Sequence, residues 1–267
     1  MRISVIIPTY NRAGLIERAV KSVVDQTVKP KEVIVVDDGS SDNTREVVES
    51  IQSPLVKYVY RKNGGAGAAR NTGVKEAAGD WIAFHDSDDV WRPDKLEKQV
   101  KYIKEHSDAG LIYSSYEMHL EDGTSILMPG KKDDLPLEGN VFVPLLVRNT
   151  VGAPTVVVRK ELFEKAGGFD ESLRSLEDWD FAIRFARDNV IGFLDDITMD
   201  AYRVDRSVSA NTADAFDFRC RLLCENRAIL EDNNLFEYAI SEMFRHAELL
   251  GCLDTVKRMF ILYLSRG

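Results

Sequence analysis

The chain is poor in cysteine, and the cysteines it has do not form a disulfide framework. Cys220, Cys224 and Cys252 are an odd, sparse set, which excludes the disulfide-rich secreted class. Cys220 and Cys224 have the i,i+4 spacing of one helix face, and only His246 is near enough in sequence to join them on a structural zinc ion. We expect buried free thiols in a reducing compartment instead.

The chain also lacks a long apolar run. No stretch approaches the roughly 20 apolar residues that a membrane-spanning helix requires. The first apolar run, Ile3–Ile7, is too short for a signal peptide and ends at Pro8. We therefore expect a cytoplasmic protein, with peripheral attachment to the inner face of a membrane as the alternative.

A basic excess is missing as well. Lys and Arg number 35 against 44 Asp and Glu, a formal net charge of −9, which disfavours binding to a nucleic-acid backbone. No G-x-x-x-x-G-K-[ST] sequence occurs, which excludes a P-loop ATPase on motif grounds. A hydrophobic content of 44% is typical of a globular protein with a sizeable core.

The first 105 residues alternate between predicted strands and helices. Short apolar runs predict buried strands at Ile3–Ile7, Glu32–Val36, Leu55–Tyr60 and Asp80–Phe84. Apolar residues three and four apart predict helices at Ala13–Gln26, Asp42–Ile51, Gly67–Ala78 and Pro93–Glu105. This order predicts a parallel, doubly wound sheet with the first strand in a central position. Ligands of such sheets bind beyond the carboxyl ends of the strands, so the residues that follow each strand are the candidate site.

The rest of the chain is mixed and then helical. Further strands are predicted at Leu111–His119, Val156–Val158 and Ile191–Leu194, and helices at Glu161–Ala166 and Asp178–Arg187. The polar stretch Lys131–Glu138 is expected to be a mobile loop that either closes over a ligand or lies idle on the surface. From about residue 215 onward the pattern is helical. We therefore divide the chain into a domain of residues 1–212 and a helical extension of residues 213–267.

The C-terminal helices carry apolar stripes on one face. The stripes consist of Phe236, Ile240, Met243, Ala247 and Leu250, followed by Val256, Phe260 and Leu264. Three interpretations stay open: packing on the body of the protein, a homodimer seam, and docking on a membrane surface that holds a lipid-linked acceptor.

The strongest motif is Asp86-Ser87-Asp88, which directly follows a predicted strand. Two carboxylates one residue apart at a strand end can turn toward one hard cation. Mg²⁺ or Mn²⁺ is often held by one or two carboxylates together with substrate phosphates. The alternative is a solvated turn, because Asp and Ser are frequent turn residues. The position at the carboxyl edge of the sheet favours the metal site.

Two further candidates follow the first and second strands. Tyr10, behind Pro8, presents an aromatic ring that can stack on a nucleobase, with packing against the next helix as the alternative. Asp38, in the turn Asp37–Ser40, can accept a hydrogen bond from a base or a ribose hydroxyl. An ordinary turn that caps the next helix is compatible with this role, since the turn contains two carboxylates.

The run Gly64–Asn71 partly imitates a dinucleotide-binding fingerprint. Gly65 and Gly67 have the required spacing and Asp86 follows at a suitable distance, but Arg70 stands where the third glycine belongs. We interpret the run as a flexible loop that brings backbone close to a ligand, with Arg70 placed to bind a diphosphate. A structural ion pair is the alternative for Arg70.

Four residues, Glu177-Asp178-Trp179-Asp180, open a predicted helix. The helix dipole favours acidic residues in a first turn, and this alone accounts for the three carboxylates. A catalytic interpretation requires one of them to reach across the sheet edge and accept a proton from an acceptor hydroxyl. The residues alone do not choose between the two interpretations.

As an ordered set, five motifs resemble family 2 glycosyltransferases of the GT-A fold, over about residues 1 to 210. The motifs are Val5–Arg12, Val36–Asp42, Gly67–Gly73, Phe84–Asp89 and Glu177–Asp180. The resemblance implies a Rossmann-like α/β fold, with a mixed sheet flanked by helices, and one Mg²⁺ or Mn²⁺ ion. It also implies inverting transfer of a sugar, most often from a UDP-sugar, to a hydroxyl of a saccharide or lipid-linked saccharide.

The resemblance implies a role for each matching position. The donor-binding residues are Pro8, Thr9, Tyr10, Asp38, Arg70, Asp86 and Ser87. The metal-binding residues are Asp88 and Asp86, with Asp88 as the direct ligand. The residues at the acceptor end are Asp178, the catalytic base, and Glu177 and Trp179, which contact acceptor or donor beside it.

One position departs from the family pattern. Similar proteins often carry a histidine after Tyr-Arg near the end of this domain, whereas here Asp205 occupies that place. Asp205 is a possible metal ligand, and Arg203 or Arg206 can hold phosphate instead. This departure leaves open a non-enzymatic nucleotide-sugar-binding protein. A separate alternative is a sugar nucleotidyltransferase built on a related sheet. The latter is disfavoured because Pro8–Asn11 stands where a glycine- and Lys/Arg-rich loop belongs.

Overall fold

Nine strands and eleven α-helices make up the fold in the computed structural model, which describes residues 1–129, 135–202 and 212–265. The strands are β1 (Ile3–Thr9), β2 (Glu32–Asp37), β3 (Val56–Tyr60), β4 (Trp81–Phe84), β5 (Val90–Trp91), β6 (Ala109–His119), β7 (Ser125–Met128), β8 (Val157–Arg159) and β9 (Val190–Tyr202). The helices are α1 (Ile16–Val24), α2 (Thr44–Ser50), α3 (Ala66–Glu76), α4 (Lys95–Glu105), α5 (Phe142–Val147), α6 (Lys160–Lys165), α7 (Glu177–Ala186), α8 (Thr212–Glu225), α9 (Arg227–Asp232), α10 (Phe236–Leu249) and α11 (Leu253–Leu264).

All nine strands belong to one mixed sheet. β3, β2, β1 and β4 are neighbours in that order and run parallel. β8 is antiparallel to both β4 and β6, and β6 is parallel to β9. β5 and β7 add short antiparallel pairings to β9 and β6. The parallel half, with β1 inside it, matches the prediction from the alternation, and the complete sheet is mixed, as the resemblance to the GT-A fold implied.

β1, β2 and β4 are buried on both faces, because other elements pack against each side of the sheet. Ile6 of β1 belongs to the core on one side of the sheet, whereas Val5 and Ile7 pack on the other side with Ile16 and Val20 of α1. Burying each such side chain contributes about 1.5–3 kcal/mol. The two cores hold the strands in register and so determine where the residues after each strand emerge.

The largest difference from the predicted elements lies in β9. This strand continues to Tyr202, well past the predicted Ile191–Leu194. Asp195 and Asp196 interrupt the apolar run that the prediction followed, but pairing with β6 continues beyond them. The apolar patterns do not predict β5, β7 or α5 either.

Only the end of the predicted loop Lys131–Glu138 lies among the described residues, since residues 130–134 fall outside them. The Leu137 carbonyl accepts a hydrogen bond from the Tyr113 hydroxyl at 2.8 Å, and the Glu138 carboxylate accepts one from the Tyr102 hydroxyl at 2.8 Å. This end of the loop is therefore anchored to β6 and α4. Closure over a ligand stays a prediction.

The C-terminal helices α8, α9 and α10 pack against α5, and α11 packs against α8 and α10. Met243 of α10 and Phe260 of α11 are buried in the same core as Phe84 of β4, which confirms intramolecular packing for the middle of both stripes. The ends of the stripes, Leu250 and Leu264, are exposed. A homodimer seam, a membrane contact and the boundary at residue 212 stay predictions. None of the helices in the described part of the chain has the length and apolarity needed to span a bilayer.

The cysteines of this region are free thiols. Cys220 is buried, its sulfur lies 3.8 Å from Sδ of Met243, and burial raises the pKa of the thiol to about 12. Cys224 and Cys252 are half-buried. The expected buried thiol is thus found at Cys220.

Candidate active site

The carboxyl ends of β1, β2 and β4 meet at one edge of the sheet, where the sequence predicts the site. Strand pairing places Thr9 opposite Asp37. The amide of Asp38 donates to the carbonyl of Thr9 at 2.9 Å, and the amide of His85 donates to the carbonyl of Ile6 at 3.0 Å. The residues that follow these three strands therefore lie side by side.

Tyr10 projects from this edge. Asn11 behind it adopts a left-handed conformation (φ 52°), donates its amide to Ser40 Oγ at 2.8 Å, and accepts the Ser41 amide on Oδ1 at 2.8 Å. The resulting turn leaves the Tyr10 side chain 49% exposed, so the ring is open to a ligand. Next to it, Thr9 Oγ1 is buried and has no hydrogen-bond partner within the described residues.

Asp38 supports the loop that contains Gly64 and Gly65, the glycine loop, instead of projecting into solvent. It is 4% exposed, and its carboxylate accepts hydrogen bonds from Arg61 Nη1 at 2.8 Å and from the amides of Gly64 and Gly65 at 3.0 and 2.7 Å. This differs from the expected free acceptor, because the tight turn at Gly39 (φ 86°) leaves the carboxylate beneath the loop that follows β3. A direct contact from Asp38 to a nucleoside stays a prediction.

A buried ion-pair network joins Asp86-Ser87-Asp88, the metal motif, to the start of α7. The Arg70 guanidinium donates to Asp86 Oδ1 at 2.7 Å and to Glu177 Oε1 at 2.6 Å, and its side chain is 6% exposed. Burial opposes the charge, but the two carboxylates outweigh it and raise the pKa of Arg70 above its ordinary value. The structural ion pair that the sequence left open is therefore present, and a diphosphate contact from Arg70 stays a prediction.

Asp88 lies beside Asp86 in the loop after β4, with Ser87 buried between them. The side chains of Asp86 and Asp88 are 31% and 20% exposed. Burial, and then the charge of Asp86, raises the pKa of Asp88. Arg12 is a distant counter-ion, with Nε 3.9 Å from Asp88 Oδ2, and Arg18 donates to the Asp88 carbonyl at 2.6 Å. Partly exposed carboxylates that repel each other fit a hard divalent cation.

A second acidic group lies where β6 meets β9. Ligand atoms of Glu117, His119 and Asp200 lie within 4.8 Å of one another, the one such group of three among the described ranges. Arg92 pairs with both carboxylates of the group, with Nη2 2.8 Å from Glu117 Oε2 and 3.0 Å from Asp200 Oδ1. The same oxygen of Asp200 lies 2.9 Å from His119 Nε2. The group is therefore an ion-pair network. The metal site at Asp86 and Asp88 stays a prediction.

Asp178 lies in the first turn of α7. One of its carboxylate oxygens accepts the amide of Trp179 at 2.7 Å, and the other accepts the amide of Ala153 at 3.2 Å. Burial, and then the charge of Glu177, raises the pKa of Asp178 to about 6, against the opposing effect of Arg70. A carboxyl group that titrates near neutrality suits general base catalysis.

Trp179 is packed in the core beside the candidate base. It is 3% exposed, its indole N–H donates to the Leu145 carbonyl at 2.7 Å, and its ring lies against Phe218 with centroids 5.7 Å apart. Successive residues of a helix point in directions about 100° apart. Trp179 therefore points in a different direction from Asp178 and anchors α7 to α5 and α8. A contact between Trp179 and a donor or an acceptor stays a prediction.

Tyr116 of β6 feels the charges of the candidate site, although no motif contains it. Burial, and then the charges of Asp178, Asp89 and Asp86, raises the pKa of Tyr116 to about 12. The phenol is thus within electrostatic reach of both the candidate base and the metal motif. No sequence pattern points to Tyr116, because its place depends on where β6 joins the sheet.

Asp205 and the arginines beside it lie outside the described residues, so the alternatives for this departure stay open. Tyr202, at the end of β9, donates its amide to Asp89 Oδ1 at 3.2 Å. The guanidinium of Arg18 lies 4.5 Å from the centroid of the Tyr202 ring. The end of β9 is therefore next to the metal motif.

Known proteins are similar to this chain in sequence and in fold. Residues 4–150 match the family described as glycosyl transferase family 2. An uncharacterized glycosyltransferase of Rickettsia conorii is 38% identical over 195 residues, which are 73% of this chain and 32% of that protein. The chain thus spans about a third of the length of this relative.

Two solved structures have the same fold. S. aureus TarS 1–349 in complex with UDP is 26% identical and superposes with a TM-score of 0.67, over 93% of this chain and 72% of that one. The mannosyltransferase PcManGT from Pyrobaculum calidifontis, in complex with GDP-Man and Mn²⁺, has a TM-score of 0.64 at 20% identity, over 100% of this chain and 76% of that one.

The family match covers more than half of the chain, and it includes the metal motif and the glycine loop. Both solved structures support a mixed sheet flanked by helices. These findings favour a transferase over the nucleotidyltransferase and the non-enzymatic binding protein. The chain therefore belongs to glycosyl transferase family 2 and has the GT-A fold.

Proposed function

We propose that this chain transfers a sugar, with inversion, from a UDP-sugar to a hydroxyl group of a saccharide or lipid-linked saccharide in polysaccharide biosynthesis. The observation that carries the proposal is the Arg70 bridge, which holds Asp86 of the metal motif and Glu177 on one guanidinium. Since Glu177 precedes Asp178, the metal motif and the candidate base lie close together. Transfer from a diphosphate to a hydroxyl requires this proximity.

The donor is assigned to the edge formed by β1, β2 and β4. The exposed Tyr10 ring supports stacking on a nucleobase, and the unpaired Thr9 hydroxyl lies next to it. Pro8 precedes them in β1, and Asp38 holds the glycine loop that faces the same edge. UDP is the nucleotide in the TarS structure, which supports uridine as the base.

Asp86 and Asp88 are the residues that would hold Mg²⁺ or Mn²⁺. Their partial exposure and mutual repulsion favour a cation, and the nearest counter-ion of Asp88 is 3.9 Å away. When bound, a divalent cation supplies electrophilic stabilisation of the leaving diphosphate. Arg70 brings a permanent positive charge to the same place.

Asp178 accepts the proton of the acceptor hydroxyl in the proposed reaction. The acceptor oxygen attacks the anomeric carbon from the face opposite the nucleotide, a new C–O bond forms, and the bond to the diphosphate breaks. Amide hydrogen bonds from Ala153 and Trp179 hold the carboxylate in place for this transfer. Arg70, and a cation held by the metal motif, would stabilise the negative charge that develops on the diphosphate.

Binding and transfer assays with a panel of UDP- and GDP-sugars, with and without Mn²⁺, test the proposal. We expect UDP-sugars with Mn²⁺ to raise Tm, because ligands that bind the native state stabilise it. One of them should be transferred or slowly hydrolysed, and NMR should show the product with inverted anomeric configuration. Absence of binding and turnover across the whole panel contradicts the proposal, and a retained configuration contradicts the inversion.

Replacing Asp88 by Asn should weaken Mn²⁺ binding in the presence of UDP. Loss of a group that only supports a metal ligand commonly costs about 10- to 100-fold in affinity, so loss of a ligand should cost at least as much. Isothermal titration of Mn²⁺ into the UDP-saturated protein measures the change. Asp122→Asn, in an exposed turn, is the control and should leave Mn²⁺ affinity unchanged.

The rate of transfer should rise with pH through about 6 and then level off. The pKa of Asp178 is raised to about 6, and the base is active only when deprotonated, so protonation below that pH removes activity. A profile of kcat against pH, measured with saturating substrates, shows this rise. A rate that falls as pH increases through this range would contradict the assignment of Asp178 as a base.

A further inference from the structure

The side chain of Lys95, the first residue of α4, is buried, and no carboxylate of the described residues pairs with it. It is 0% exposed, and burial alone lowers its pKa to about 7, with no acidic group opposing the shift. Its Nζ lies 3.3 Å from the Thr155 carbonyl oxygen, 3.5 Å from Thr198 Oγ1, and 4.9 Å from the centroid of the Trp91 ring. Burying an amine in this way costs stability compared with an apolar residue of the same size.

Gln99, one turn further along α4, donates to the same carbonyl. It is 0% exposed, its Nε2 lies 2.8 Å from the Thr155 oxygen, and its Oε1 has no partner within the described residues. Lys95 and Gln99 stand at i and i+4, on one face of the helix. Two buried polar side chains thus converge on a single backbone oxygen.

That oxygen belongs to a turn that touches the candidate base. Ala153–Thr155 forms a 3-10 turn, and its first amide is the one that donates to Asp178 Oδ2 at 3.2 Å. The residue after the turn, Val156, accepts the amide of Phe84 at 3.3 Å, two residues before Asp86. The turn therefore connects α4, the candidate base and the strand that carries the metal motif.

We propose that Lys95 and Gln99 are positioning residues for Asp178, which they orient by holding the Thr155 carbonyl and, through the 3-10 turn, the Ala153 amide. Without these two donors the Thr155 carbonyl would be buried and unpaired, which favours rotation of the turn toward another partner. The Ala153 amide would rotate with it and release one oxygen of Asp178. This inference rests on the proposed role of Asp178 as the base.

Lys95→Met and Gln99→Leu, singly and combined, test the inference, with the exposed Lys101→Met on the same helix as the control. We expect kcat to fall about tenfold in each single variant, because small displacements of a catalytic group are costly. KM for the donor and UDP affinity should not change, since the donor edge is untouched. Tm of Lys95→Met should be equal or higher, because methionine removes the cost of burying an amine.

A crystal structure of the combined variant should show the Ala153 amide beyond about 3.5 Å from Asp178 Oδ2, out of hydrogen-bonding range. Unchanged kcat in both single variants, or a loss of kcat that follows a loss of Tm, would mean that the two residues only fill the core. If the wild-type protein transfers no sugar, the proposed function fails. In that case an intact Ala153–Asp178 hydrogen bond in the combined variant overturns the positioning role independently.

Discussion

Asp178→Asn should lower kcat for sugar transfer by about 100- to 10,000-fold, the usual contribution of a positioned general base. The amide can still accept a hydrogen bond from Ala153 or Trp179, so the geometry of α7 should persist. It cannot accept the acceptor's proton. Affinity for UDP with Mn²⁺ should be unchanged, because Asp178 does not touch the donor edge. Steady-state transfer assays combined with UDP titration measure both quantities.

The matched control is Asp180→Asn on the same helix. Asp180 pairs with Arg184, with the Arg184 Nε 2.8 Å from Asp180 Oδ2, and takes no part in the site. We expect it to retain its kcat. Asp178→Asn should also be no less stable than the wild type at neutral pH, since burial and Glu177 already disfavour the charged form of Asp178. Normal turnover by Asp178→Asn would remove Asp178 from the mechanism while leaving the donor assignment intact.

Arg70→Met should cost about 3 to 5 kcal/mol in the free energy of unfolding, as expected when one partner of a buried ion pair is removed. The substitution leaves Glu177, whose side chain is 11% exposed, without its cation, and it also unpairs Asp86. Urea denaturation measures the loss as a lower midpoint at an unchanged slope. Transfer activity should fall as well, because the bridge between the metal motif and α7 is gone.

Arg2→Met provides the comparison for this loss of stability. Arg2 pairs with Asp80 on the surface, where both side chains are more than half exposed. Exposed pairs of this kind contribute little to stability, because solvent screens the two charges. A second variant, Arg70→Met with Glu177→Gln, should recover part of the stability, because it removes the unpaired buried charge. A loss no larger than that of Arg2→Met would show that the Arg70 network is not a stabilising element.

The local features of the chain were predictable because their causes are local. Apolar runs and helical spacings of a few residues predict β1 to β4 and the helices between them. The alternation of these elements predicts their parallel pairing, and hence the edge at which Tyr10, Asp38 and Asp86 emerge. Mutual repulsion of Asp86 and Asp88 follows directly from their separation by one residue. These parts of the site need no knowledge of distant contacts.

Other parts of the site depend on residues far apart in the chain, and no local pattern contains them. Arg70 and Glu177 are 107 positions apart in the chain. Their contact depends on how β6, β8 and β9, which all follow Arg70 in the chain, pair within the sheet. The direction in which a side chain points was not predictable from the sequence either. Asp178 and Trp179 are adjacent in α7, yet Asp178 accepts the Ala153 amide and Trp179 packs in the core. The same holds for Lys95, whose burial against the Thr155 carbonyl arises from packing between elements. Short-range periodicity thus specifies strands, helices and the edge where they end, whereas the partner of each charged group is set by which elements become neighbours.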